Sequence, residues 1–300
     1  MSRFSCVVVL YEMNMTESPT LCSLFELREL LSERGIDVLI LDNTPGRKAE
    51  SLVIDADTRY VAFGENRGLA EAYQAAFLSA KAAGIRFLVL LDQDSQVDSS
   101  FICALDDIAE CHDATIGIWC PDVISYRKRI SPYSLNALGW PNYSPRGDAD
   151  RLYAINSFSV VSIDCIEAIG GFEPFYWLDC LDSWIYESAQ RRGWTVRRLG
   201  VNVRHDLSLV SGKISLARIR GIAFFESCFA VEYGSAGRVA GTVLRLILRG
   251  LKRFKIIGGL TAYGSYLREI ARGIDVGLKR RRQNADDKFR RDTINYQASR

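Results

Sequence analysis

Residues 86–98 read RFLVLLDQDSQVD, in which four consecutive apolar side chains, Leu88, Val89, Leu90 and Leu91, run straight into Asp92-Gln93-Asp94-Ser95. An unbroken apolar run bounded by polar residues is the mark of a central strand in a parallel sheet covered by helices on both faces. Ligands of such sheets bind at the carboxyl ends of the strands, where this acidic pair falls. Asp92 and Asp94, two residues apart, can both offer oxygen to one hard divalent cation, Mg2+ or Mn2+, with substrate phosphates completing its shell. The plain alternative is a strand followed by an Asp-rich turn, since Asp starts turns and caps helices well.

Outward from this stretch, strands and helices alternate. Phe4 to Tyr11 (FSCVVVLY) reads as a buried strand, and Pro19 to Arg34 places Leu21, Leu24, Phe25, Leu27, Leu30 and Leu31 at helical spacing before Gly35. Asp37 to Leu41 is the next strand, ending in the turn residues Asp42-Asn43-Thr44-Pro45-Gly46. Strand, helix, strand predicts a right-handed crossover and a parallel pair. Tyr60 to Phe63 is a short third strand, followed by Gly64-Glu65-Asn66-Arg67-Gly68 and an alanine-rich helix over Leu69 to Ala83. This alternation predicts an α/β doubly wound sheet. In such a sheet the loops at Tyr11-Glu12, Asp42-Asn43 and Asn66-Arg67-Gly68 converge with Asp92 and Asp94 on one nucleotide-sized edge. The helix beginning near Leu69 is expected to present free N–H groups and its positive dipole end to a phosphate there. Each loop taken alone is ordinary turn chemistry.

Downstream, Trp119 to Ile124 reads as a strand, and residues 125–150, with Tyr126, Arg127, Trp140, Tyr143, Pro145 and Gly147, as a long polar and aromatic loop. Leu152 to Ile163 reads as a strand, then a short helix ends at Gly170-Gly171-Phe172. Glu173 to Asp182 carries a second acidic cluster, Asp179 and Asp182; Ser183 to Arg192 is helical, and the strand Trp194 to Val203 delivers His205.

Composition sets the bounds. The 300 residues suit one large domain or a core domain with an appendage, and 48% apolar with 25% charged content is that of a folded protein. Net charge is only +2, but sixteen Lys/Arg face five Asp/Glu from Arg238 onward, against 22 and 31 before it: an acidic body with a basic tail. Eight scattered cysteines without a CxxC pair, and two histidines, argue against a disulfide framework or a zinc site and for a reducing compartment. The N-terminal apolar run is too short for a secretion signal, and no stretch reaches a membrane span; the expected location is the cytoplasm, peripheral to the inner face of a membrane.

Taken in order, VVVLY before Glu12, LDN at 41–43, ENRGLAEAY at 65–73, LLDQDS at 90–95, GGF at 170–172, and LDCLDSW then RRGW within 178–194 resemble a family 2 glycosyltransferase of the A-type nucleotide-sugar-binding fold, over residues 4–206. LDQDS is similar to the bacterial rhamnosyltransferases of that family, whose donor is dTDP-rhamnose. The resemblance implies a single catalytic domain over residues 1–210, with a mostly parallel twisted sheet flanked by helices, and a basic helical extension over 211–300. It makes Asp94 a direct ligand of the divalent metal, Asp92 a contact of the donor and of the metal, and His205 a third ligand, although a lone histidine is commonly structural. It assigns Asp42 to the nucleotide base, and Tyr11, Asn66, Arg67, Gly68, Leu69 and Gln93 to the nucleotide and diphosphate. Asp182, eleven residues before Gly193, matches the family's catalytic base, with Asp179 the second candidate. Three departures stand out. Phe158 follows Ser157 where glycine is common and is expected to crowd the donor; Trp184 and Ser188 replace an acidic residue and an arginine.

The implied reaction is metal-dependent, inverting transfer of L-rhamnose to a lipid-linked or polysaccharide acceptor in surface-glycan synthesis (O-antigen or exopolysaccharide). Alternatives are transfer of another nucleotide sugar and a catalytically silent binding subunit, for which Phe158, Trp184 and Ser188 are the hints. A nucleotidyltransferase needs a glycine-rich basic loop after the first strand, whereas Tyr11 is followed by Glu12-Met13-Asn14. In the tail, Arg238, Arg245, Arg249, Lys252 and Arg253 fall within an arc of about 100° at 100° per residue, opposite Val239, Val243, Leu246, Ile247, Leu251 and Phe254. This basic amphipathic helix, with Lys279 to Arg282 beyond it, suits an anionic membrane surface; a helix packed on the protein is the alternative, and nothing else resembles a nucleic-acid module.

Overall fold

The apolar runs do become the buried strands of an α/β sheet. The computed structural model describes residues 3–125, 128–143, 151–205, 215–257 and 259–298. It contains two compact units, Met1–Ser134 with Tyr143–Gly212, and Leu135–Asn142 with Lys213–Arg300. The 210/211 boundary and Tyr126, Arg127, Pro145 and Gly147 of the expected loop lie outside the described residues.

In the first unit, β1 (Phe4–Leu10) is followed by α1 (Pro19–Glu26) and α2 (Arg28–Glu33), two helices in place of one, because the chain steps at Leu27, whose N–H is shared by the carbonyls of Ser23 and Leu24. Next come β2 (Ile36–Asp42), the exposed edge strand β3 (Glu50–Val53), β4 (Thr58–Ala62), α3 (Gly68–Ala82), β5 (Phe87–Asp92) and α4 (Ser99–Glu110). β6 (Ile116–Ser125), β7 (Lys128–Ser131) and β8 (Tyr133–Leu135) follow, then β9 (Pro141–Asn142) of the second unit and β10 (Leu152–Tyr153). Much of the expected loop is thus strand, because β7 pairs with β6, and β8 with β10. β11 (Ser159–Ser162), α5 (Ile163–Ile169), α6 (Leu181–Arg191) and β12 (Thr195–Arg204) complete the unit.

The main sheet has the order β12-β6-β11-β5-β1-β2-β4-β3. β5, β1, β2 and β4 run parallel, and β6 pairs parallel with β12. β11 lies antiparallel between β5 and β6, so the carboxyl ends of the long parallel strands and the amino end of β11 share one edge. The core packs against β1, β2 and β5, which are buried almost throughout, and includes Leu10, Leu21, Ile40, Val89, Leu91 and Phe101.

The segment expected as one strand over 152–163 is two, broken at Phe158. This residue adopts a left-handed backbone (φ 67°) and gives its N–H to the Leu90 carbonyl at 2.7 Å. Its ring has no exposed surface and meets Phe101 edge-on, centroids 5.0 Å apart. Phe158 therefore fills the core and does not crowd the donor edge. A left-handed backbone explains why glycine suits the position; here the strain of about 1–2 kcal/mol is offset by an aromatic ring's burial.

The second unit holds α7 (Leu216–Tyr233), α8 (Ala236–Lys252), the single turn α9 (Phe254–Ile257) and α10 (Leu260–Ala298), with residues 135–142. Ile219, Ala223, Leu246, Tyr266 and Ile270 form its core. The basic arc of α8 is partly consumed internally, since Arg245 and Arg249 reach Glu226 of α7 at 3.3 and 2.7 Å. The second basic cluster is engaged too: Arg280 pairs with buried Glu232 at 2.6 Å, and Arg281 caps carbonyls at the end of α7. No helix among the described residues is long and apolar enough to cross a membrane.

Replacing Phe158 by Ala is expected to cost about 3–5 kcal/mol of stability through the cavity it leaves, measured by urea unfolding. A variant as stable as the parent would put the ring outside the core.

Candidate active site

The turn after β5 is built by the start of α1. The Ser18 hydroxyl donates to the Gln93 carbonyl at 2.6 Å. The Thr20 hydroxyl lies 2.5 Å from the Asp92 carbonyl and 2.8 Å from that of Ser95, and accepts the Ser95 N–H at 2.9 Å. These bonds fold the backbone so that Asp92 and Asp94 project from the same sheet edge. Gln93 is tied down: its Oε1 accepts the Tyr11 N–H at 2.8 Å and its Nε2 donates to the Tyr11 carbonyl at 3.3 Å, clamping the loop after β1 to the loop after β5.

β12 then brings in His205, whose N–H bonds the Ile124 carbonyl, while Arg204 bridges to Gln96 beyond the acidic turn. Asp92, Asp94 and His205 offer ligand atoms that all lie within 4.8 Å of one another. His205 Nε2 stands 3.7 Å from Asp92 Oδ2, too far for a hydrogen bond. Nδ1 lies 3.0 Å from Ser95 Oγ, which is 2.6 Å from Ser157 Oγ, and that oxygen accepts the Asp92 N–H at 3.2 Å. With the Nδ1 proton given to Ser95, Nε2 turns its lone pair toward the carboxylates, the outer-shell orientation that ligating histidines use. Two carboxylates and one oriented imidazole make a donor set that fits an oxygen-preferring divalent cation.

Enclosure by protein raises the Asp92 carboxyl to about 7, and the negative charges of Asp94 and then Asp182 add to the rise. Even so, 37% of the Asp92 side chain faces outward, so a cation can reach it. The charge of Asp182, from the second acidic cluster, thus bears on the Asp92 carboxyl. Asp182 lies in the first turn of α6, its Oδ1 accepting the Ser183 N–H at 2.6 Å; Asp179 is two residues before the helix, and Cys180 between them has a left-handed backbone (φ 62°).

On the expected nucleotide side, several groups have partners within the protein. Both Asp42 carboxylate oxygens are used internally: Oδ1 accepts from the Thr44 N–H at 2.8 Å, Oδ2 accepts from the Tyr60 hydroxyl at 2.8 Å and pairs with Arg47 at 3.2 Å, and the residue has no exposed surface. The start of α3 is not free either. The Trp177 carbonyl accepts the N–H groups of Leu69 at 2.7 Å and Ala70 at 3.1 Å, and Asn66 Oδ1 accepts that of Gly68 at 2.9 Å. Gly68 is required for this contact: its φ is +79° and an added Cβ would lie 2.7 Å from the Trp177 ring. Asn66 and Arg67 are exposed, with Arg67 bonded to Glu65 and stacked over Phe63. Tyr11 is exposed beside them.

Sequence reading missed Thr20, Ser18 and Tyr73. Nothing local marks Ser18 and Thr20 as supports, because their partners lie more than seventy positions away. Tyr73 sits in α3 with a fully buried hydroxyl that has no hydrogen-bond partner among the described residues; its ionisation is suppressed by burial and then by Asp92 and Asp182.

No protein-family profile and no curated protein sequence matches the chain. Solved structures do. S. aureus TarS 1-349 superposes with a TM-score of 0.52 at 12% identity, over 93% of this chain and 82% of that one. Its complex with UDP-GlcNAc gives 0.52 at 14% identity over the same shares. The mannosyltransferase PcManGT from Pyrobaculum calidifontis, in complex with GDP-Man and Mn2+, gives 0.51 at 12% identity over 93% of this chain and 86% of that one. The chain spans 50% of the length of a longer TarS structure. The shared fold is that of A-type glycosyltransferases, a mostly parallel sheet flanked by helices with a helical C-terminal region.

Two outcomes test the metal geometry. Because the Asp92 carboxyl must lose its proton to bind a cation, Mn2+ affinity should rise with pH up to about 7 and fall about tenfold per unit below it, as read by calorimetric titration; a flat profile would exclude Asp92 as a ligand. Ser95→Ala, which removes the support of His205, should weaken Mn2+ about 10- to 100-fold with the far-UV spectrum unchanged.

Proposed function

We propose that the protein is a metal-dependent, inverting glycosyltransferase that moves a sugar, L-rhamnose from dTDP-L-rhamnose, onto a lipid-linked or polysaccharide acceptor of the cell surface, working on the cytoplasmic side. The observation that carries this reading is the meeting of Asp92, Asp94 and His205 at the carboxyl end of β5, within the electrostatic reach of Asp182. The resemblance of LLDQDS at 90–95 to rhamnosyltransferases supports the donor; UDP-GlcNAc and GDP-Man, carried by the neighbouring structures, are the competing donor types.

Asp94, Asp92 and His205 Nε2 would hold the cation, which would neutralise charge on the departing diphosphate. Exposed Asn66, Arg67 and Tyr11 line the nucleotide side, while Gly68, Leu69, Gln93 and Asp42 shape it from beneath through the bonds described above. On the acceptor side, an Asp182 carboxylate oxygen takes the proton of the acceptor hydroxyl as that oxygen attacks the anomeric carbon. The bond from that carbon to the diphosphate oxygen breaks on the opposite face, so the anomeric configuration inverts and nucleoside diphosphate leaves. Asp179 binds a sugar hydroxyl beside it.

The test is release of nucleoside diphosphate from dTDP-L-rhamnose, UDP-GlcNAc and GDP-mannose in the presence of Mn2+ and acceptor, together with donor-induced thermal stabilisation. Asp182→Asn should lower kcat by about 10²- to 10⁴-fold while donor stabilisation persists. Equal turnover in both proteins rejects Asp182 as the base. Stabilisation by only another donor rejects rhamnose and leaves the transferase reading standing.

A further inference from the structure

In α8, Gly237, Gly241, Leu244, Leu248 and Leu251 follow at alternating intervals of four, three, four and three residues, so they share one helix face. The first part of that face is covered. Residues 135–142, which carry no charge, fold over it: an added Cβ on Gly241 would lie 2.1 Å from the Leu138 carbonyl, one on Gly237 would lie 3.1 Å from that of Ala137, and the Trp140 indole N–H donates to the Gly241 carbonyl at 3.2 Å. The second part is bare. Leu244, Leu248 and Leu251 are 51%, 48% and 51% exposed, and Leu138 and Trp140 of the covering segment are themselves 52% and 40% exposed. The other apolar side of α8 does different work, with Leu246 buried and Val243 and Ile247 packed on the core of the unit.

We propose that the strip of Leu138, Trp140, Leu244, Leu248 and Leu251 seats the protein on an anionic lipid bilayer. The occupant is chosen by charge. Residues 213–300 contain nineteen Lys/Arg against seven Asp/Glu, and residues 135–142 contain neither. Arg238 and Lys252 lie about 120° and 80° around the helix from Leu244, at the flank of the strip. A second copy would bring the same positive excess against itself, whereas an anionic surface attracts it by about 1 kcal/mol for each cation near the headgroups. An indole at the border of an apolar strip suits the headgroup boundary, and half-exposed leucines on a single helix face suit burial at the acyl edge without spanning.

The experiment is sedimentation of the full chain with vesicles of phosphatidylcholine alone and of phosphatidylcholine mixed with phosphatidylglycerol. The full chain should pellet with the mixed vesicles, and Leu244→Gln/Leu248→Gln should weaken that binding at least about tenfold. Leu251→Gln alone should weaken it less, and the thermal midpoints of all three proteins should coincide because these side chains are exposed. Full-chain protein left in the supernatant, or a double variant that binds as tightly as the parent, overturns the proposal. So does a dimer, seen by light scattering, that the double variant dissolves while vesicle binding is untouched. Donor turnover is not part of the readout, so the seat on lipid stands or falls separately from the transferase reading.

Discussion

At the end of β5 the Asp92 carboxyl is held protonated to about pH 7 by enclosure and by the charges of Asp94 and Asp182. Ligand atoms of Asp92, Asp94 and His205 lie within 4.8 Å, and two like charges at such a spacing repel by roughly 3 kcal/mol at an effective dielectric near 20. The backbone that carries both carboxylates is fixed: Ser18 and Thr20 grip the carbonyls of the turn, and Ser95 ties it to Ser157 and His205. Once both carboxyls are ionised, that repulsion would be relieved by a divalent cation placed between them.

Backbone strain gathers at the same edge. The non-glycine residues with left-handed backbone among the described residues are Glu12, Phe158 and Cys180, at φ 51°, 67° and 62°. Glu12 follows Tyr11, Phe158 follows Ser157, and Cys180 stands between the two acidic residues of the second cluster. Each conformation costs on the order of 1–2 kcal/mol, which only a well-packed scaffold can sustain. The buried strands β1, β2 and β5 supply that scaffold, and the ring of Phe158 is part of it.

Much of this was legible in the amino-acid order. VVVL and FLVLL are apolar on both faces, which a strand in the middle of a parallel sheet must be, and they located β1 and β5 and hence Asp92 and Asp94. His205 could be placed because the strand before it is long, ten residues from Thr195 to Arg204. What escaped the reading depends on partners far off in the chain or on backbone shape. The antiparallel β11 is four residues long and looks like the continuation of its predecessor until Phe158 turns the chain over. β3 is exposed along its length, so it has no apolar signature. The α8 arginines read as an arc turned to an anionic surface because Glu226, which takes two of them, belongs to another helix. The partners that hold Asp42 escaped the reading because neither Tyr60 nor Arg47 is adjacent to it in sequence.

The carbonyl of Trp177 carries a consequence of its own. It accepts the Leu69 and Ala70 N–H groups at the start of α3, a place where helices ordinarily bind anions. Those two donors serve one acceptor at a time. An anion bound by those two N–H groups would take the place of the Trp177 carbonyl, which stands two residues before Asp179. The Trp177 ring adds to this, lying where a Cβ on Gly68 would be, so one residue holds the start of α3 to the approach of α6 by both its carbonyl and its side chain.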